Sequence, residues 1–220
     1  MSAGTVTGGT RPERGGATRE LILRTAERLF AEHGVYTVSN RQISEAAGQG
    51  NSAAVGYHFG TKTDLVRAIA RSHAEDVERH RAVLVAEAFG SAETRDWVRG
   101  LVVPITAHLA ELGSPTWWAR FGAQVSTDPA LHRIAVEESL DSPSLRLLLE
   151  GMNRCLPDIP PEARMRRWAM GRHLTVHLCA EREREMAEGA TDPSGWDDLA
   201  ADLVDAIVGI WHAPVSRRPS

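Results

Sequence analysis

Residues 39–65 read SNRQISEAAGQGNSAAVGYHFGTKTDL, a stretch with two short helical segments, a turn between them and the start of a longer helix. Ser39, with Gln42 three residues later, is typical of a capping box, in which each side chain satisfies an unpaired amide at a helix start. Gly48 ends this segment, and a second short helix is predicted over 52–59. Two short helices joined by a small turn predict a helix-turn-helix unit, although an ordinary helical hairpin has the same pattern.

Helices are predicted on both sides of this unit. Before it, apolar residues at helical spacing predict a helix over 18–33 that Gly34 ends. After it, Thr61 and Asp64 favour the start of a long helix that reaches about residue 89. Further helices are predicted over 93–112, with Pro104 expected to kink it, and over 117–126, 129–138, 144–155, 162–188 and 194–211. Alternating runs typical of strands are nearly absent, so the predicted fold class is all-α.

Charge is distributed unevenly along the chain. The formal net charge is −4, but up to Arg71 there are nine basic and six acidic residues, a local charge of +3, and the remainder carries −7. Because the segment up to Arg71 is basic and the rest of the chain is acidic, phosphate binding is expected only in the segment up to Arg71.

Three segments resemble the tetracycline-repressor (TetR) family of transcription regulators. Residues 18–34, which contain AERLFAEHG, look like the family's first helix, and ISEAAG at 43–48 resembles its second. YHFGTKTDL at 57–65 is similar to the signature at the end of its recognition helix, and residues 48–57 form a longer connection than the commonest family spacing. The resemblance implies a DNA-binding regulator whose C-terminal helices bind a small ligand and dimerise.

The predicted domains follow from this resemblance and from the helix pattern. We expect a disordered arm over 1–16, a three-helix helix-turn-helix DNA-binding domain over 17–66, a larger helical ligand-binding and dimerisation domain over 67–213, and a tail over 214–220. Arg11 and Arg14 belong either to an arm in the minor groove or to a tail without function.

DNA contacts are expected at the start of the second helix and around the third. A helix N-terminus with a hydroxyl cap and a nearby arginine is a ready anion site, and the resemblance implies further phosphate contacts from the family signature. Small side chains suit close approach to the major groove, where Asn51 and Ser52 are expected to read base edges. Lys62, the only lysine of the chain, is expected to bind phosphate, with plain surface charge as the alternative. The predicted DNA-binding residues are Ser39, Arg41, Asn51, Ser52, Ala53, Tyr57, His58 and Lys62.

A ligand cavity is expected in the larger domain. Aromatic walls with a few polar groups suit a flat or hydrophobic ligand, which is anionic if Arg120 points inward; the alternative is that these residues are plain core. The predicted lining residues are Trp117, Trp118, Arg120, Phe121, Met152, Trp168 and His173.

Dimerisation is expected through the last two long helices. The penultimate helix is apolar on more than one side, as a helix buried between two partners is. The resemblance implies that these helices pair with their twofold copies, and a dimer that reads two half-sites has more specificity than one short helix.

These features predict a cytoplasmic repressor that a small molecule releases from a palindromic operator. No apolar run approaches the roughly 20 residues of a membrane span, and no catalytic motif or glycine loop points to an enzyme or a cofactor. The alternatives are an activator, a regulator without a ligand, or a helical enzyme or carrier that only resembles a DNA reader. His173, His177 and Glu181 have a spacing that suits a metal, but a surface histidine pair explains them more simply. Cys155 and Cys179 are expected to be reduced thiols, with a disulfide as the alternative.

Overall fold

The computed structural model describes residues 11–190 and 195–216, with side chains from residue 15 onward. These parts of the chain form helices and no strand, as the all-α prediction requires. In chain order the helices are α1, Arg11–His33; α2, Asn40–Ala46; α3, Ala54–Phe59; α4, Lys62–Glu87; α5, Thr94–Leu112; α6, Trp118–Thr127; α7, Pro129–Leu140; α8, Pro143–Cys155; α9, Pro161–Ala187; and α10, Gly195–His212.

The first helix is longer than the sequence predicted. It begins at Arg11 rather than near residue 18, so residues 11–16 of the predicted arm are helical. Gly15 and Gly16 argue against helix in the sequence, whereas Pro12 is tolerated in the first turn, where its missing amide has no partner to lose. Residues 1–10, Ser194 and residues 217–220 lie outside the described residues, and so do the side chains of Arg11 and Arg14.

The first four helices share one apolar core with α6 and α7. Phe30, Ile43 and Val55 are fully buried in it, and Phe59 packs into the same core. Phe121 of α6 stacks on Phe30 with ring centroids 6.3 Å apart. The helix-turn-helix unit is therefore packed directly against the rest of the chain through α6 as well as joined to it through α4.

A second core joins α4, α5, α8, α9 and α10. Trp97 of α5 and Trp211 of α10 are almost completely buried there. Gly151 of α8 lies against the Trp97 ring, and a Cβ atom at this position would be 2.2 Å from that ring. Close contact between α5 and α8 therefore depends on the absence of a side chain at residue 151. In the described part of the chain, no helix is long and apolar enough to cross a membrane.

Candidate functional site

The start of α2 has the predicted capping box. The Ser39 hydroxyl accepts a hydrogen bond from the Gln42 amide at 3.2 Å, and the Gln42 side chain accepts one from the Ser39 amide at 2.8 Å. Arg41 is exposed and forms an ion pair with Glu45 one turn later, with Nε and Oε1 2.7 Å apart. The first turn of α2 thus presents a helix N-terminus and an exposed guanidinium, which pairs with Glu45 in the absence of DNA, and a helix N-terminus beside a cation suits an anion.

The turn between α2 and α3 is longer than the sequence predicted. Helix α3 begins at Ala54 instead of near Ser52, because Asn51 organises the turn before it. The Asn51 side-chain oxygen accepts a hydrogen bond from the Ala53 amide at 2.9 Å, and its main-chain oxygen accepts one from the Ala54 amide at 3.0 Å. The buried Ser44 hydroxyl of α2 donates to the Ser52 carbonyl at 3.3 Å, which fixes this turn on α2.

One side of the turn and of α3 is open to solvent. Asn51, Ser52 and Ala53 are exposed, and Tyr57 has 85% of its surface accessible, although tyrosine normally covers part of its ring in a folded chain. His58 is half-buried next to Tyr57, with ring centroids 5.1 Å apart. The predicted base-reading and signature residues therefore lie along a surface that the described part of the chain leaves uncovered.

Lys62 has a partner that the sequence analysis did not foresee. Its ammonium donates a hydrogen bond to the Val38 carbonyl at 2.6 Å, which ties the start of α4 to the residue before the α2 cap. Burial lowers the pKa of Lys62 below its ordinary value. An ammonium has three donors, so two remain for a phosphate at this point. Thr61 and Asp64 cap α4, with the Thr61 hydroxyl donating to the Asp64 carboxylate at 2.6 Å.

A buried polar chain connects α1 with α5 through α4, and the sequence analysis missed it. Glu27 Oε2 lies 3.0 Å from His73 Nε2, and His73 Nδ1 lies 2.8 Å from His108 Nε2. Trp118 of α6 stacks on His73 with ring centroids 5.0 Å apart, and it meets the His108 ring edge to face at 4.8 Å. Burial lowers the pKa of His108 to about 4, so its imidazole is neutral near pH 7.

The two distances in the Glu27–His73–His108 chain are those of hydrogen bonds, and the protonated ring nitrogens decide which group donates. A carboxylate accepts, so His73 Nε2 donates to Glu27, and the hydrogen bond between His73 Nδ1 and His108 Nε2 needs a proton on one of these two nitrogens. His108 Nδ1 is buried and has no hydrogen-bond partner among the described residues, and the nearest carboxylate oxygen, Asp76 Oδ2, lies 4.0 Å away. Each link lies on a different helix, so a shift of α4 relative to α1 or α5 breaks a buried hydrogen bond.

A cavity of about 1000 Å³ lies among α4 to α10. Its volume is at the upper end of the range for small-molecule sites, and its wall is largely apolar. The structure places Trp118, Phe121 and Trp168, three of the seven predicted lining residues, on this wall. His73 of the polar chain also lines the cavity.

The other four predicted residues are not on the cavity wall. Met152 is fully buried in the second core, and Trp117 packs against the first core. His173 is exposed on α9, where its ring stacks on that of His177 at 5.7 Å. Arg120 turns away to Glu183, so it does not supply the inward-pointing cation that the sequence analysis considered. These directions depend on how the helices pack, which helical spacing alone does not give.

Glu183 caps the start of α6 from α9. Its carboxylate accepts hydrogen bonds from the Ala119 and Arg120 amides at 3.0 Å each and from Arg120 Nε at 2.9 Å. Burial raises the pKa of the Glu183 carboxyl, and these hydrogen bonds oppose that rise. This group fixes the helix that carries the cavity residues Trp118 and Phe121.

In the described part of the chain, the histidines and cysteines form neither a metal site nor a disulfide. No group of three metal-ligating side chains occurs among the described residues. Cys155 and Cys179 are both free, and burial raises the pKa of Cys179 to about 12, which keeps this thiol protonated.

An apolar strip on the outer side of α9 and α10 has no partner among residues 15–190 and 195–216. Met170 and Leu178 of α9 are exposed to 50% and 36%. Ala206 and Gly209 of α10 are exposed as well, and these small residues leave the helix surface flat. The opposite side of α9, with Met165, faces the cavity.

The comparisons with known proteins agree with these features. Residues 22–69 match the family model described as bacterial regulatory proteins, tetR family, and residues 101–209 match the tetracyclin repressor-like C-terminal domain. The HTH-type transcriptional repressor AcnR of Corynebacterium glutamicum is 30% identical over 154 residues, which cover 66% of this chain and 72% of that protein.

Solved structures show the same fold at lower identity. A TetR family transcription regulator from Marinobacter aquaeolei VT8 is 15% identical, with a TM-score of 0.57 over 90% of this chain and 97% of that chain. NalD, the secondary repressor of the MexAB-OprM multidrug efflux pump in Pseudomonas aeruginosa, is 22% identical, with a TM-score of 0.53 over 88% of this chain and 96% of that chain. At these identities the likeness concerns the fold alone.

Proposed function

The chain belongs to the TetR family of bacterial regulatory proteins, and on that premise we propose that it is a repressor which a small molecule releases from a palindromic operator. It is a DNA-binding transcription regulator of a family whose members bind operator DNA as dimers. The observation that carries the proposal is the uncovered surface of α3 and its preceding turn on a helix-turn-helix unit that packs against a large cavity-bearing body.

The proposed DNA interface divides into phosphate contacts and base contacts. Ser39, Arg41 and Lys62 lie at two helix starts that the Lys62–Val38 hydrogen bond holds together, and two helix N-termini with cations suit adjacent phosphates. Tyr57 and His58 extend this set at the end of α3. The three residues just before α3 have small, exposed side chains that suit contact with base edges: Asn51, Ser52 and Ala53.

Two kinds of variant separate these roles. Arg41→Gln should weaken binding to all duplexes alike, because a phosphate contact carries no sequence information. Ser52→Ala should instead change the order of preference among operator variants; we choose Ser52 because the Asn51 side chain also organises the turn. Arg146→Gln removes an exposed charge on α8 and is the matched control, which should leave both affinity and preference unchanged. A uniform loss in Ser52→Ala would contradict its base-reading role.

We propose that the dimer interface is the apolar strip of α9 and α10. Helix α9 is apolar toward the cavity and also on its outer side, and the family acts as dimers. Leu178→Glu should convert the dimer to a monomer in sedimentation velocity and abolish operator binding. Leu147→Glu on α8, where residue 147 is 53% exposed, makes the same chemical change away from the strip and should leave a dimer. A dimeric Leu178→Glu protein would contradict the assignment.

The polar chain supplies a physical connection between the cavity and the DNA-binding helices. Trp118 and His73 both line the cavity, they stack on each other, and His73 bonds to Glu27 of α1. A ligand that moves Trp118 therefore acts on a contact of α1. Such a ligand releases DNA only if it binds more tightly to the conformation that binds DNA poorly.

Glu27→Gln tests this connection. The amide keeps the size of the side chain but removes its charge, so the hydrogen bond from His73 becomes weaker. The variant should still bind operator DNA, while the concentration of ligand needed for release should change. An unchanged release curve would remove the polar chain from the signalling route.

A further inference from the structure

The basic residues on the cavity wall differ in whether their charge is neutralised. Arg71 forms an ion pair with Glu138, with Nε and Oε2 2.5 Å apart. Arg81 lies 3.9 Å from the Glu78 carboxylate, and Arg167 donates to two carbonyl oxygens at the end of α10. Each of these three cations therefore has a carboxylate or the negative end of a helix as its partner.

Arg172 of α9 has no such partner. Its guanidinium donates to His132 Nδ1 at 3.3 Å and approaches His173 Nε2 at 3.5 Å, and no ion pair to it occurs among residues 15–190 and 195–216. None of the residues three and four positions away on α9 is acidic; they are Trp168, Ala169, Thr175 and Val176. Burial lowers the pKa of Arg172, and no carboxylate opposes this effect.

We propose that the cavity binds a hydrophobic molecule with one anionic head group, and that Arg172 on the cavity wall holds this group with a bidentate ion pair. The proposal rests on the ligand-binding role proposed above and names the chemical class of that ligand. A partly desolvated guanidinium without a counter-ion is costly, and a carboxylate or related anion in the cavity removes this cost.

The neighbours of Arg172 favour an anion over a neutral polar group. His132 accepts the hydrogen bond from Arg172 at Nδ1, so the proton of the neutral ring is on Nε2, and His132 itself lines the cavity as a second possible donor. Burial and the charge of Arg172 lower the pKa of His132, so this donor is neutral and leaves a single positive charge at this point. One guanidinium with one added donor matches one monoanionic head group.

The rest of the cavity favours a hydrophobic body. Trp118, Phe121, Trp168 and Trp211 contribute aromatic surface, and Leu101, Ile105 and Leu109 of α5 contribute aliphatic surface. Arg71, Arg81 and Arg167 are held by their own partners, as described above, and the two carboxylates Glu75 and Asp141 lie at exposed positions of the wall. The aromatic and aliphatic part of the wall therefore suits an apolar chain or ring system.

The test compares three probes with the same ten-carbon chain: decanoate, decanol and decylammonium. Isothermal titration with the full-length dimer at constant salt should give decanoate about tenfold to hundredfold tighter binding than decanol, the range of a charge-assisted hydrogen-bonded pair. Decylammonium should bind most weakly. Arg172→Gln should remove the preference for decanoate and leave decanol binding unchanged, and Arg172→Lys should restore part of it. Arg133→Gln, which removes an exposed charge next to His132, is the control and should preserve the preference.

Other outcomes would contradict either the anionic class of the ligand or the role of Arg172. Equal binding of decanoate and decanol, or no binding of any probe, overturns the anionic class. If Arg172→Gln still prefers decanoate to decanol, Arg172 does not hold the head group. If Arg172→Gln becomes a monomer and the native protein shows no preference for decanoate, Arg172 belongs to the dimer interface instead. Release of operator DNA is measured separately: decanoate binding without release supports the anion site but contradicts the effector role under the proposed function.

Discussion

Lowering the pH should destabilise this protein through His108, the buried end of the polar chain. In the folded protein the pKa of His108 is about 4, compared with 6.5 for an unperturbed histidine, because the ring is desolvated and lies beside His73. Asp76, whose Oδ2 lies 4.0 Å from His108 Nδ1, and Glu111 oppose this shift, and His80 adds to it. The unfolded chain therefore takes up a proton below about pH 6.5, whereas the folded chain does so only near pH 4.

The magnitude follows from these two values. Because the folded pKa is lowered, the stabilisation is present in full above pH 6.5 and is lost as the pH falls toward 4. Integrated from pH 7 to pH 5, the difference in proton uptake removes about 2 kcal/mol from the free energy of unfolding. Other titrating groups add their own pH dependence, so the quantity to measure is the difference between the native protein and a variant without this imidazole.

His108→Gln is that variant, since a side-chain amide can either donate to His73 Nδ1 or accept from it but does not titrate. Urea unfolding followed by tryptophan fluorescence at pH 7 and pH 5 gives the two free energies for each protein. Protomer concentration and ionic strength must be equal, because the stability of a dimer depends on its concentration. The native protein should lose about 2 kcal/mol more than His108→Gln between these pH values. Equal losses would refute the lowered pKa of His108.

Three further predictions concern other parts of the molecule. Lys62→Ala should weaken binding to all DNA sequences alike and reduce the slope of log affinity against log salt by up to about one unit, and an unchanged slope would leave Lys62 as a structural brace only. Gly151→Ala should destabilise the protein by about 1–3 kcal/mol in urea unfolding, since its Cβ would overlap the Trp97 ring, whereas Gly122→Ala, with open space at its Cβ, should stabilise it by about 0.5–1 kcal/mol; the same sign for both would contradict the packing. Glu183→Ala should lower the free energy of unfolding by about 3–5 kcal/mol and speed the exchange of the backbone amide hydrogens at the start of α6. Unchanged exchange rates of those amides would contradict the capping role of Glu183.

Helix ends in the DNA-binding unit were predictable because their signals are local. Ser39 with Gln42 and Thr61 with Asp64 are pairs three residues apart, and both form the capping boxes that their spacing predicts. The start of α3 was predicted two residues too early, because the hydrogen bond from Ala53 to the Asn51 side chain adds a turn that helical spacing does not show.

Cavity residues were harder to predict because a side chain's direction depends on which helices meet. The sequence alone does not distinguish the directions of the Arg120 and Arg172 side chains. Arg120 binds Glu183, 63 positions further along the chain, and so does not line the cavity, whereas Arg172 does. Glu27 resembles a surface residue of an amphipathic helix, yet it is buried and hydrogen-bonded to His73 of α4, 46 positions along the chain. His108 did carry a signal, since it lies on an apolar stripe of α5 with Trp97, where a titratable group needs a buried partner.

Selection of duplex DNA from a random pool by the purified protein at two salt concentrations shows whether this protein reads a palindromic operator as a dimer. We predict recovery of an inverted repeat whose half-sites are about one helical turn apart or a multiple of it, with affinity that falls steeply as salt rises. Recovery of no sequence above background at either salt concentration, from protein shown to be folded and dimeric, would contradict this prediction.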